Sequence, residues 1–264
     1  MSPLRLALVA ACLFCGAASA AERPKALVAC TVIADQASGE VLVREGACGE
    51  RFAPMSTFKV PLAVMGFDAG ILEGAHDPVW AIMPEYDPSE REMAFPEVDP
   101  TSWEANSIVW FSQHLATLLG EEAFARYVAG FDYGNADVSG GLTRAWLMSS
   151  LRISPDEQVT FLQRLLAHEL PVSAEAANLT GEILPVFAAG DWTVQGKTGA
   201  GRLPDAPGAN GEARPLGWFV GWAERDGRRV VFARMMVAAG PVDGPVSFII
   251  RDGLLEDLPG LLGD

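Results

Sequence analysis

Lysine is unusually scarce in this chain. The 264 residues include 19 lysines and arginines, and only three of these, Lys25, Lys59 and Lys197, are lysines. Arginine keeps its proton in a protein, whereas a buried lysine can become a neutral amine that acts as a base or a nucleophile. A lysine inside an apolar segment of this chain therefore points to a chemical role.

Histidine chemistry also has little support. None of the three histidines, His76, His114 and His168, stands in a sequence context typical of a catalytic triad. The zinc-protease motif His-Glu-x-x-His and the hydrolase motif Gly-x-Ser-x-Gly do not occur in the sequence. We therefore expect no metal site and no serine–histidine triad.

Long hydrophobic runs are missing after the N-terminus. No later stretch reaches the ~18 apolar residues that a membrane helix needs. Residues 1–20 combine Arg5, an apolar run over 6–14 and a small-residue cleavage site, Ala18-Ser19-Ala20, which together predict a secretory signal peptide. Lipid attachment at Cys12 is the less favoured alternative. We expect a periplasmic or secreted protein with no stable membrane association.

Basic patches and cysteine-rich segments are missing too. The formal net charge is -15 and the basic residues are scattered, so nucleic acid is not an expected partner.

Of four cysteines, Cys30 and Cys48 lie outside the predicted signal peptide, one on each side of a predicted hairpin. An oxidising compartment favours a disulfide between them, and two buried free thiols are the alternative.

The predicted elements indicate an α/β fold of the α+β type. β-rich runs at 26–34 and 40–44 form a hairpin, helices dominate the middle, and strands return after 186. Because both ends of the chain supply one antiparallel sheet, we expect a single domain, 21–264, with an inserted all-helical subdomain. The sheet subdomain covers about 21–64 and 186–264, and the helical subdomain covers about 65–185. The other predicted elements are helices over 56–69, 107–119, 121–129, 154–169 and 246–262 and strands over 192–197, 217–224 and 229–238.

Ser56 and Lys59 lie on one face of the most apolar predicted helix, 56–69. Burial there should favour the neutral form of the Lys59 amine. Ser56 lies near the helix N-terminus, where free N–H groups can stabilise an oxyanion. The pair can act as a nucleophile and its base, although a capping serine and a surface-reaching lysine would give the same spacing.

A second cluster, Lys197-Thr198-Gly199, is predicted at the end of an edge strand. A lysine and a hydroxyl can bind a carboxylate, and a glycine lets a substrate backbone lie close to the strand. With Gly190 and Gly196, the cluster nearly forms a phosphate-binding loop. The spacing between the two glycines is one residue too long for that motif, so we discount a nucleotide site.

Further motifs lie between these two clusters. In their order along the chain they resemble the motifs of the class D serine β-lactamases, the oxacillinases. The matching segments are Pro54-Met55-Ser56-Thr57-Phe58-Lys59, Ser107-Ile108-Val109, Tyr133-Gly134-Asn135, Trp146 and Lys197-Thr198-Gly199. The resemblance implies the serine β-lactamase/penicillin-binding fold and the hydrolysis of small-molecule β-lactam antibiotics. Class A enzymes resemble the chain less, because they need an asparagine where Val109 stands.

The resemblance also implies a carboxylated lysine. Lys59 would react with carbon dioxide to form a carbamate, which deprotonates Ser56 for acylation and then activates water for deacylation. Carbon dioxide or bicarbonate is therefore required, and no other cofactor is expected. The indole N–H of Trp146 would hold the carbamate, and Val109 and Leu147 would line its pocket.

The remaining site residues follow from the same resemblance. Ser107 would relay a proton to the departing lactam nitrogen, and the N–H groups of Ser56 and Ala200 would form the oxyanion hole. Lys197, Thr198 and Gly199 would bind the substrate. Many relatives add an arginine before the last helix, where this chain has Ser247; we expect a hydroxyl contact there. Arg251, one turn further on, is more simply interpreted as a surface residue.

Two alternatives share this ancestry. A penicillin-sensing domain would bind without turnover, but it normally needs a transmembrane segment. A cell-wall D,D-peptidase would have no use for Val109 and Trp146, whose implied roles are specific to a carbamate. The sequence therefore favours the β-lactamase.

Overall fold

The computed structural model describes residues 23–204 and 212–263. The predicted signal peptide lies outside these residues and stays a prediction. In chain order the strands are β1 (Ala26–Asp35), β2 (Val41–Gly46), β3 (Trp80–Ala81), β4 (Glu97–Val98), β5 (Val186–Ala189), β6 (Trp192–Leu203), β7 (Arg214–Arg225) and β8 (Arg228–Ala238). The α-helices are α1 (Lys59–Asp68), α2 (Pro100–Asn106), α3 (Val109–Gly130), α4 (Pro155–Leu166), α5 (Ala174–Ile183) and α6 (Val246–Leu261).

Six strands form one antiparallel sheet in the order β2-β1-β8-β7-β6-β5. The N-terminal hairpin pairs with the C-terminal strands through β1 and β8, which confirms the expectation that both ends of the chain build one sheet. Asp226 and Gly227 connect β7 to β8, and both have positive φ angles, as the predicted tight hairpin requires. The subdomain boundaries stay a prediction.

Helices cover both faces of this sheet. On one face, α6 packs Leu254 and Leu258 against Phe219 and Phe232. On the other face, a larger core joins the sheet to the helices of the middle third, and α1 lies inside this core with every residue from Lys59 to Phe67 buried. The prediction of an apolar central helix is confirmed.

The middle third contains elements that the sequence did not predict. These are α2, α5 and the small β3–β4 sheet. The two helices predicted on either side of Gly120 form one element, α3, with a break at Gly120, whose φ of 76° and ψ of 160° are not helical. The capping box of Ser154 and Glu157 at the start of α4 is confirmed, but the helix ends at Leu166 rather than Glu169.

Cys30 and Cys48 form a disulfide with an S–S distance of 2.05 Å. The bond joins β1 to the segment that follows β2, so it braces the hairpin as expected. The alternative of two free thiols is wrong.

Candidate active site

Ser56 lies in a 3₁₀ turn, Met55–Phe58, that runs directly into α1. The turn is attached to its neighbours by backbone and side-chain hydrogen bonds: Met55 N–H donates to the Trp146 carbonyl at 3.1 Å, and the Thr57 hydroxyl donates to the Pro54 carbonyl at 2.7 Å. Gln158 of α4 donates to the same Thr57 hydroxyl at 3.0 Å. The nucleophile candidate is therefore held by two neighbouring parts of the chain.

Gly199 of β6 explains how this turn approaches the sheet. A Cβ at Gly199 would lie 2.8 Å from the Pro54 carbonyl oxygen and 3.2 Å from the Thr57 nitrogen. At these distances a side chain would force β6 or the Ser56 turn to move. The glycine is thus needed for packing against the Ser56 turn, a reason that we did not derive from the sequence.

Lys59 is buried in the first turn of α1, with 1% of its surface exposed. Its backbone N–H donates to the Ser56 carbonyl, and its Nζ lies 6.0 Å from the centre of the Trp103 ring. Nζ has no hydrogen-bond partner among the described residues. Burial, helped by the positive charge of Lys197, lowers the Lys59 pKa to about 7, so a large fraction of the amine is neutral at physiological pH.

Lys197 reaches across the site to Ser107. Its Nζ donates to Ser107 Oγ at 3.1 Å and to the Thr198 carbonyl at 3.0 Å. Burial also lowers the pKa of Lys197, and the negative charge of Glu104 opposes this shift. Ser107 follows α2 in a left-handed conformation with φ 54°. The two predicted motifs therefore meet through their side chains.

The Lys197-Thr198-Gly199 segment lies in the middle of β6, not at its end, because the strand continues to Leu203. The prediction of an edge strand is wrong for β6 as a whole, because β5 lies outside it in the sheet, and it holds only for this segment. β5 pairs with β6 only from Trp192 to Gln195, and within residues 23–204 and 212–263 no other strand pairs with that side of β6. Ala200 is exposed on the open stretch.

Trp146 forms part of the apolar surroundings of α1. The indole is buried and stacks on Phe58, with ring centres 5.2 Å apart and an interplanar angle of 18°. Val109 begins α3, directly after the Ser107 motif, and both Val109 and Leu147 are half-buried. Their carbamate-pocket roles stay a prediction.

The Tyr133-Gly134-Asn135 motif has a structural task. Gly134 has a positive φ, and a Cβ there would lie 2.0 Å from the Arg152 carbonyl oxygen. The Asn135 side chain accepts from the Arg152 N–H and donates to the Ser150 carbonyl. These contacts stabilise the position of the loop at residues 150–152, which follows Trp146.

Ser247 lies in the first turn of α6, and 3% of its surface is exposed. Its backbone nitrogen is 3.0 Å from the position of a Cβ at Gly217, and Gly217 pairs with Ala200 across the sheet. Arg251 donates to Asp252 at 2.7 Å and lies over the Phe248 ring. These contacts agree with the interpretation of Arg251 as a surface residue.

Two glutamates of the site escaped the sequence analysis. Glu104 of α2 is fully buried, and Glu92 is 4% exposed. The Glu92 carboxylate accepts from the Val109 N–H and from the Ser89 N–H and hydroxyl, and thus caps α3. Glu104 follows Trp103 and stands three residues before Ser107, but this spacing alone does not distinguish it from an ordinary charge on a short polar helix.

Together these groups suit acyl transfer. The site joins a hydroxyl at the start of a helix, a buried lysine on the same helix, and a second serine–lysine pair across from them. Among residues 23–204 and 212–263 no cluster of three or more histidine, cysteine or acidic side chains is placed to hold a metal ion. Nor is any helix of this part of the chain long and apolar enough to span a bilayer.

Comparison with known proteins defines the class first. Residues 29–249 match the family model of the penicillin binding protein transpeptidase domain, whose fold is the antiparallel sheet with flanking helices described above. The protein is therefore a member of the penicillin-binding and serine β-lactamase class.

The relatives narrow this class. β-Lactamase OXA-9 of Klebsiella pneumoniae is 48% identical over 242 residues, which cover 89% of this chain and 88% of that protein. β-Lactamase OXA-1 of Escherichia coli is 37% identical over 193 residues, which cover 70% of this chain and 66% of that protein. The crystal structure of the OXA-427 class D β-lactamase matches with a TM-score of 0.76 and 35% identity, over 89% of this chain and 98% of that one. The chain belongs to the class D β-lactamase family of serine hydrolases.

Proposed function

We propose that this enzyme hydrolyses β-lactam antibiotics through an acyl-enzyme on Ser56, with carboxylated Lys59 as the general base of both acylation and deacylation. The observation that carries the proposal is the state of Lys59: its Nζ is buried, has no hydrogen-bond partner in the described residues, and lies three residues after Ser56. A buried polar atom without a partner is costly in a folded protein.

The surroundings of Lys59 fit carboxylation. Only a neutral amine can attack carbon dioxide, and burial lowers the pKa of Lys59 to about 7. The carbamate would supply an oxygen base on a longer arm than the amine and would give the buried group hydrogen-bonding capacity. We assign Trp146, whose indole N–H donor lies in the same apolar region, to hold the carbamate. We assign Val109 and Leu147 to line the pocket around it.

The second serine–lysine pair supports a proton path to the leaving nitrogen. The Ser107 hydroxyl is in hydrogen-bond contact with Lys197 Nζ at 3.1 Å, so a proton given up by Ser107 can be replaced from the lysine. We assign the N–H groups of Ser56 and Ala200 to the oxyanion hole. The position of Ser56 in the turn that leads into α1 and the exposure of Ala200 on the open edge of β6 support this assignment.

The carboxylate of the substrate is assigned to Lys197, Thr198 and Ser247. A cavity of about 260 Å³ opens beside Ala200 between β6, β7 and the start of α6. Ser247 lies in the first turn of α6 next to Gly217, the β7 partner of Ala200. Val246, the residue before Ser247, lines this cavity, and the Ser247 side chain itself is buried.

Hydrolysis of a chromogenic β-lactam, with and without added bicarbonate, tests the proposal. We expect steady turnover that rises with bicarbonate and is lost in Lys59→Ala. Acylation of Ser56 in stoichiometric amount without turnover would instead identify a sensor, and cleavage of D-alanyl-D-alanine peptides would identify a peptidase. Full activity of Lys59→Ala would refute the carbamate.

Export is part of the same proposal. The predicted signal peptide and the disulfide between Cys30 and Cys48 both suit the periplasm or the exterior, because such bonds persist in oxidising compartments. Mass spectrometry of the exported protein tests it, with cleavage expected after Ala20.

A further inference from the structure

A buried glutamate lies in the active site without an assigned role. Glu104 is fully buried, and neither of its carboxyl oxygens has a hydrogen-bond partner among the described residues. It is carried by α2, one helical turn before Ser107, and its neighbour Trp103 lies beside Lys59 Nζ. An enclosed carboxyl group without partners needs an explanation, because such groups are costly to bury.

The charges that act on Glu104 are those of the two active-site lysines. Burial raises the pKa of the Glu104 carboxyl well above its usual range, while the positive charges of Lys197 and Lys59 oppose this rise. The interaction is mutual, since a negative charge on Glu104 favours the protonated form of Lys59. The ionisation of these three groups is therefore linked.

Two further charged groups act on this cluster. Arg91 lowers the pKa of Lys59 and of Lys197, and the negative charge of Glu92 raises that of Lys59. Burial raises the pKa of Glu92, but hydrogen bonds from Ser89 and Val109 together outweigh this effect and hold the pKa below its usual range, so Glu92 remains an anion at neutral pH. In the described part of the chain Glu104 has no such donors, and it is the acidic group of the cluster that can change its protonation state.

We propose that Glu104 accepts the proton that Lys59 releases when it is carboxylated, an inference that rests on the carbamate proposed above. The lone pair of the neutral Nζ forms a bond to the carbon of carbon dioxide, and one C=O bonding pair moves onto oxygen. The proton that leaves the nitrogen is balanced by protonation of the Glu104 carboxylate, a net transfer, since Nζ and the carboxyl oxygens are not hydrogen-bonded to each other. Lys-NH₂, CO₂ and Glu-COO⁻ become Lys-NH-COO⁻ and Glu-COOH, so atoms and charge balance.

The exchange keeps the charge of the pocket constant. Carboxylation places a negative charge on Lys59, and an ionised Glu104 beside it would add a second negative charge out of contact with water. Like charges in one site raise the pKa of one of them, so the proton transfer removes the repulsion. The Lys197 ammonium faces one anion before and one anion after the step. Glu104 is thus a positioning residue that acts through Lys59.

Two spectroscopic signals test the inference without any measurement of activity. Carbon-13 NMR with labelled bicarbonate reports the carbamate, and infrared difference spectra on addition of carbon dioxide report the C=O stretch of a protonated carboxyl group. We expect both signals together in the wild-type enzyme. The carboxyl band should keep its frequency when the carbon dioxide is labelled, shift when the glutamates are labelled, and be lost in Glu104→Gln.

Two variants make the result specific. Glu97→Gln, the same change at an exposed position of β4, should keep the band, and Lys59→Ala should lose both signals. A wild-type carbamate signal without the carboxyl band would overturn the inference and leave the carbamate intact. Absence of the carbamate signal itself would refute the proposed mechanism of Lys59. If Glu104→Gln does not fold, the wild-type spectra with labelled glutamate still test the inference, because a carboxyl band that does not shift with the glutamate label would overturn it.

Discussion

Lys197 Nζ donates a 3.1 Å hydrogen bond to the hydroxyl of Ser107, a residue held in a left-handed backbone conformation with φ 54°. A residue with a side chain pays roughly 1 kcal/mol for that conformation, whereas glycine adopts it freely. The hydroxyl that faces Lys197 is therefore kept at some cost in stability.

This cost can be measured by comparing Ser107→Gly with Ser107→Ala. Both variants lose the hydroxyl, so we expect acylation to slow about 100-fold in each, the scale of a lost proton-transfer group. Ser107→Gly should be more stable than Ser107→Ala by about 1 kcal/mol in denaturant unfolding. Equal stability of the two variants would show that the conformation carries no strain.

The pH dependence of turnover should follow Lys59. Burial lowers the pKa of its amine in the folded enzyme to about 7, so the neutral form that reacts with carbon dioxide predominates above that pH and declines below it. At a fixed concentration of dissolved carbon dioxide, we expect kcat to fall as the pH drops through about 7 and to recover when bicarbonate is raised. Stopped-flow hydrolysis over this range provides the measurement.

Lys25→Ala is the matched control, because Lys25 is an exposed lysine directly before β1. Its pH profile and bicarbonate response should equal those of the wild type. A profile that ignores bicarbonate at every pH would contradict the carbamate.

Trp146→Phe separates the indole N–H from the packing of the ring. Phenylalanine can still stack on Phe58, so the fold should survive, while the donor assigned to the carbamate is lost. We expect deacylation to slow by about tenfold to 100-fold, the scale of one hydrogen bond to a charged group, and acylation to slow less. Single-turnover kinetics resolve the two steps, and equal losses in both would argue against this role of Trp146.

Gly199→Ala should displace the nucleophile. The new Cβ would lie 2.8 Å from the Pro54 carbonyl oxygen, so either β6 or the Ser56 turn must move. A shift of about 1 Å at a reacting group can cost about 100-fold in rate, and we expect kcat to fall on that scale. Gly74→Ala, whose Cβ would meet nothing within 4 Å, should leave kcat unchanged. A crystal structure of the first variant shows which segment moves.

Removing the disulfide should affect stability and not catalysis. The bond between Cys30 and Cys48 closes a loop with a sequence separation of 18, and a loop of this size gives about 3 kcal/mol by chain entropy. We expect the double variant Cys30→Ala/Cys48→Ala to lose about that much unfolding free energy in denaturant titration. Its kcat/KM should match that of the wild type. A large loss of kcat/KM in folded protein would be evidence that the hairpin takes part in the site.

The sequence predicted the parts of the site that depend on local pattern. Ser56 and Lys59 share a helix face by spacing alone, and the apolar residues around Lys59 indicated its burial. The capping box of Ser154 and Glu157 is equally local. Strand pairing at the two ends of the chain followed from β-rich runs and one hairpin signal.

What escaped prediction depends on contacts between distant segments. Helix α5 is short, and most of its buried residues are small (Ala176, Ala177 and Thr180), so no run of large apolar side chains marks it in the sequence. Glu104 looks like an ordinary charge on a short polar helix until the fold places α2 beside Lys59. The requirement for Gly199 arises from the Ser56 turn, which lies more than a hundred residues earlier in the chain. Such relationships are not visible as spacing or periodicity.

The early end of β5 has a consequence for how the enzyme can hold its substrates. From Lys197 onward β6 offers main-chain donors and acceptors to whatever lies alongside, so a bound molecule can complete the sheet as a short additional strand would. Recognition through the main chain depends little on side chains, and it tolerates changes at exposed positions such as Ala200. A family can therefore alter its preference among antibiotics by changing the surrounding loops, while the strand that receives them stays the same.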